Sequence, residues 1–140
     1  PNHYHWLVRQ AGKAKAGLLE QRVFNAYSKA FNNSNNRSGT LFEDRYAAIV
    51  VSTDEYLLHL CRYIHANPVR HGIADAVELW PYSNYLEWIE QRSGRLIDRD
   101  FVKAHFPTSD HYQAYVHTYL TGQVQLPVGL TAYLDDLENE

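Results

Sequence analysis

Leu18, Leu19, Val23, Ala26, Tyr27, Ala30 and Phe31 recur at helical spacing with polar residues between them, which predicts an amphipathic helix. The polar run from Asn32 to Gly39 ends it with strong turn chemistry. A second helix is predicted from about Asp54 to Ala66. Ser52 and Thr53 offer a capping hydroxyl, Asp54 and Glu55 suit the positive end of the helix dipole, and Pro68 sets a nearby stop. Leu57, Leu60, Cys61 and Ile64 form its apolar stripe, while Tyr56, His59, Tyr63 and Asn67 follow at three- or four-residue steps on an adjacent one. With 140 residues, 45% of them hydrophobic, the chain has material for one compact core rather than two.

The other segments are read from residue type. Residues 3–9 and 45–51 are aromatic and branched, and predict two strands that pair with each other. Alternation then puts His3, His5 and Leu7 on one face. Short helices are expected from Trp80 to about Ile89, from Asp98 to Phe106 and from Ser109 to Leu120, the last capped by Asp110. Residues 123–140 read as an extended, acidic tail. The one cysteine, Cys61, falls in a helical apolar pattern, so it reads as a core residue and a reducing cytoplasm is expected. No apolar run is long enough for a membrane helix.

Net charge is −3, but it is unevenly distributed. Residues 1–50 carry seven Lys or Arg against three acids, a balance of +4, and the remainder carries six against thirteen, a balance of −7. The basic half permits phosphate contact, although solvated Lys and Arg are the commoner explanation.

His3-Tyr4-His5 and Tyr63-Ile64-His65-Ala66-Asn67 are the chemically loaded motifs. On a strand, two histidines two residues apart share a face with backbones about 6–7 Å apart, close enough to meet one cation. Taken singly, each motif also reads as inert: two surface histidines, a packing tyrosine among eleven, an asparagine at a helix end. Taken together they form a coherent set. Two imidazoles and an amide oxygen bind a divalent ion and leave positions open, and Tyr63 lies one helical turn before Asn67.

In order and spacing, the segments Pro1–Val8, Gly39–Tyr46, Tyr56–Gly72 and Trp80–Tyr85 resemble the REP-associated tyrosine transposases, the HUH-type single-tyrosine enzymes of bacteria. The resemblance spans roughly residues 1–90. It implies an α+β fold, a ferredoxin-like antiparallel sheet with helices on one face and with the histidines on a central strand, followed by small C-terminal helices. It divides the chain into a catalytic domain over 1–90, a helical extension over 91–122 and an acidic tail over 123–140. By motif it makes Tyr63 the nucleophile, His3, His5 and Asn67 the ligands of Mg²⁺ or Mn²⁺, and single-stranded or hairpin DNA the partner. Arg45, Arg62 and Arg70 are the expected phosphate contacts.

The resemblance departs at the start, because family members carry a strand and helix before the Pro-Asn-His segment. An N-terminally shortened sheet would expose an edge and invite a homodimer. It would also suit a hairpin-binding derivative without the chemistry. A structural metal on the two histidines and RNA binding are the remaining alternatives.

Overall fold

A computed structural model describes residues 3–139, with side chains described as far as Leu134. The helix with the most regular apolar spacing, α1 (Gly17–Ser34), forms where the periodicity places it. Asn36, in the left-handed region at φ 49°, closes it, and the Arg37 amide donates back to the Asn32 carbonyl at 3.0 Å. Helix α2 (Asp54–Arg70) starts at Thr53, whose hydroxyl accepts from the Tyr56 amide at 3.2 Å. It runs two residues past Pro68. Pro68 has no N–H to donate to the Ile64 carbonyl four residues back, and the turn then closes on Gly72 at φ 65°. There the Ile73 amide donates to the Pro68 carbonyl at 2.8 Å and the Gly72 amide to Val69 at 3.0 Å.

A 3₁₀ turn (Val77–Leu79) and four helices follow: α3 (Tyr85–Trp88), α4 (Arg99–His105), α5 (Ser109–Leu120) and α6 (Val128–Asn139). Asp98 caps α4 through the Phe101 amide at 3.1 Å. The cap of α5 is Thr108, whose hydroxyl accepts from His111, in place of the expected Asp110.

The ferredoxin-like α+β fold is not what forms, because the described residues contain helices and no strand. Residues 3–9 and 45–51 have the composition of strands but exchange no backbone hydrogen bonds among the described residues. A strand exists only when a neighbour satisfies its ladder, and a lone pair of strands is marginal even when it forms. The sheet edge on which edge-pairing dimerisation would rest is therefore missing among these residues. The extended tail is corrected as well: α6 places Leu130 and Leu134 four residues apart on one face, and both are buried.

The chain divides into two compact units, one of residues 3–6 and 51–139 and the other Leu7–Val50. In the first, α2 packs along α5 around Leu60, Tyr63, Ala66, Tyr85, Ile89, Phe106, Tyr112, Val116, Leu130 and Leu134. Cys61 is buried as expected, and burial pushes its thiol up to about 12, leaving it a packing residue. In the second unit, Phe24 and Tyr27 of α1 meet Phe42 at centroid distances of 5.1 and 6.5 Å. Gly17 lets the Tyr46 hydroxyl approach where a side chain would collide. No helix among the described residues is long and apolar enough to cross a membrane.

Candidate functional site

Helix α2 carries most of the site because one of its faces is fixed from behind. His65, 3% exposed, has its Nδ1 on the Tyr112 hydroxyl and its Nε2 2.8 Å from Asn84 Oδ1. An amide oxygen opposite Nε2 requires the proton there, so Nδ1 accepts from Tyr112. Burial lowers His65 to about 4, against the Asn84 hydrogen bond and the Glu87 carboxylate, which both favour its charged form. Tyr85, Trp88 and Tyr112 surround the ring edge-to-face at 5.6, 5.2 and 5.6 Å. This aromatic box fixes the roll of α2, and hence the direction of Tyr63 and Asn67.

Tyr63 and Asn67 lie one turn apart on α2 and are both buried, at 1% and 7% exposure. The His5 ring stands edge-to-face on Tyr63 at 5.5 Å, and His3 stands on His5 at 5.0 Å. The two histidines and the tyrosine, sixty residues apart in sequence, thus share one place in one compact unit. His3 and His5 reach it from an irregular segment rather than from a central strand.

Sequence reasoning missed His71. It sits at the C-cap of α2, with its ring 6.1 Å from His3, so three imidazoles neighbour one another beside Tyr63. Its position one residue before Gly72 was a readable signal, because the closing turn of a helix brings that residue back over the last coil.

His5 is lowered to about 4, first by burial and then by the charges of His3 and His71, which keeps its imidazole neutral. Its Nε2 is buried and has no hydrogen-bond partner. A neutral imidazole with an uncommitted nitrogen is what a divalent ion requires, so the donor chemistry of His3, His5 and the Asn67 amide oxygen fits one. Among the described residues no three His, Cys, Asp or Glu side chains are grouped to hold a metal.

The three arginines stand in different surroundings. Arg45 is exposed on the second unit. Arg62 is 1% exposed, with its guanidinium 4.6 Å over the Tyr115 ring and 5.4 Å over Tyr119, and it contacts His59 Nδ1. Arg70 is exposed at the end of α2, with its guanidinium 5.9 Å over the Tyr63 ring. No known protein family, curated protein or solved structure matches this chain.

Proposed function

We propose that the chain binds single-stranded or hairpin DNA, and cleaves and rejoins it through a covalent phosphotyrosine at Tyr63. The observation that carries this reading is the meeting of His5 with Tyr63 at 5.5 Å, with His3 at 5.0 Å behind it. Two imidazoles and a phenol some sixty residues apart in sequence thus meet against α2, which is the arrangement the proposed chemistry needs.

In the first step the Tyr63 oxygen forms a bond to a backbone phosphorus and the bond to the 3′ oxygen breaks. The phenolic proton is lost and the leaving 3′ oxygen takes one up, giving a free 3′ hydroxyl and a 5′ phosphotyrosine. A later 3′ hydroxyl reverses the sequence and frees Tyr63. His3, His5 and Asn67 would hold the divalent ion, Mg²⁺ or Mn²⁺, which when bound supplies Lewis-acid polarisation of the phosphoryl oxygen. Arg45 and the basic balance of residues 1–50 supply phosphate attraction.

The burial of Tyr63, at 1% exposure, favours a second reading, in which the chain binds hairpins without cleaving them. Incubation with Mn²⁺ or Mg²⁺ and end-labelled DNA hairpins separates the two. Strand transfer predicts a denaturation-resistant adduct that Tyr63→Phe abolishes. An adduct that survives this substitution sinks the nucleophile assignment, and tight binding without any adduct selects the second reading.

A further inference from the structure

We infer that Arg70 is the phosphate clamp beside Tyr63 and that Tyr119, on α5, is the positioning residue that aims it. The inference rests on the proposed role of Tyr63 and extends it to a helix outside the motifs that suggested that role.

Arg70 follows Tyr63 by seven residues, two helical turns, so both lie on one face of α2. One nitrogen of the guanidinium, Nη1, donates to the Tyr119 hydroxyl. The guanidinium also lies 5.1 Å over the Tyr119 ring and 5.9 Å over Tyr63. Tyr119 is 9% exposed and fixed in the packing of α5 on α2, whereas Arg70 reaches solvent. The arginine is thus anchored at one nitrogen and open at the others. A free arginine at a helix end loses rotamer freedom on gripping an anion, and a pre-aimed one loses less.

The neighbouring pair shows what a purely structural arginine looks like in this unit. Arg62 lies over Tyr115 and Tyr119 as Arg70 lies over Tyr119 and Tyr63, but it is 1% exposed and cannot reach a ligand. Among the described residues, Arg70 alone combines an anchor, an exposed fork of donors and a place next to the phenol. A planar fork of this kind matches two oxygens of a phosphate. Held there, it would contact the non-bridging oxygens of the phosphate that Tyr63 attacks, where charge builds in the transition state.

The test uses the full chain with Arg70→Ala, Tyr119→Phe and the double variant. With Mn²⁺ and a labelled pool of DNA hairpins, Arg70→Ala is expected to slow adduct formation about 100-fold. Tyr119→Phe, which removes one hydroxyl and keeps the ring, should slow it about 10-fold through misplacement of Arg70. Hairpin affinity of Tyr119→Phe should stay within about 3-fold of the parent, since binding is spread over many phosphates. The double variant should be no slower than Arg70→Ala alone, because the hydroxyl acts only through the guanidinium. Losses that multiply, or a Tyr119→Phe variant as fast as the parent, overturn the positioning role.

A second readout needs no cleavage. For binding to oligothymidylate, Arg70→Ala should reduce the slope of log affinity against log salt by about 0.7, the value of one lost phosphate contact on a single strand. If the parent protein makes no adduct, the proposed chemistry fails while this slope still decides the clamp. An unchanged slope overturns it.

Discussion

From Leu7 to Val50 no residue is buried, whereas the unit of residues 3–6 and 51–139 buries a continuous set from Leu60 to Leu134. Helices α1 and α2 are nonetheless comparably amphipathic and of similar length. The difference lies in what faces the apolar stripe. Helix α2 meets α5 and an aromatic box, while Leu18, Leu19, Val23 and Tyr27 of α1 remain 39–54% exposed. Amphipathic spacing therefore says that a helix has a face to bury, and only tertiary partners decide whether it does. The candidate catalytic side chains, Tyr63 and Asn67 with His3 and His5, all belong to the unit that has a core, where positions can be held to the tolerance that chemistry needs.

The largest effect that could break this contrast is at Tyr112, fully buried between Trp88 and Phe106 at centroid distances of 4.6 and 4.7 Å. Tyr112→Ala should cost about 4 kcal/mol in denaturant unfolding, the range for deleting a large buried aromatic. It would also leave His65 Nδ1 without its donor. A loss below about 1 kcal/mol would mean that this core is not what holds α2 to α5.

The next effect is set by pH at His65, lowered from 6.5 to about 4 by burial. Above pH 6.5 the ring is neutral in both folded and unfolded chains, so it adds no pH dependence. Between 6.5 and about 4 the unfolded chain binds a proton that the folded one refuses, so stability falls as pH falls. At pH 5, about one and a half units below 6.5, the loss should be about 2 kcal/mol. Unfolding curves at pH 7 and pH 5 in chelator measure it, and His65→Gln should flatten the difference. Burial also lowers His5, which acts in the same direction, but its partial exposure makes its share smaller.

The sequence made α1, α2 and α5 legible because each has a period, a cap or a closing turn written in local residues, as at Thr53 and Gly72. The His3, His5 and Tyr63 set was legible because it is a pattern of chemical types. What was not legible depends on partners. Residues 3–9 and 45–51 have the side chains of strands, but pairing is a property of two segments and cannot be read from either. The tail looked extended because its acids dominate, while two leucines four residues apart were enough to seat α6. The link from Arg70 to Tyr119 joins helices forty-nine residues apart, and only the packing of α5 on α2 brings it about.

The smallest effect tests the uncovered side of the comparison. Leu19, on α1, is 54% exposed, so Leu19→Gln keeps helix propensity and removes an apolar side chain from a surface already wet. Its cost should be within about 0.5 kcal/mol, as for surface substitutions generally. Amide exchange supplies the matching readout. Protons of α1 should exchange through local opening well below the global stability, and those of α2 and α5 only near it. If instead Leu19→Gln costs more than about 1 kcal/mol, or α1 is as protected as α2, its stripe is covered in solution. The contrast between the units would then belong to the isolated chain and not to the working protein.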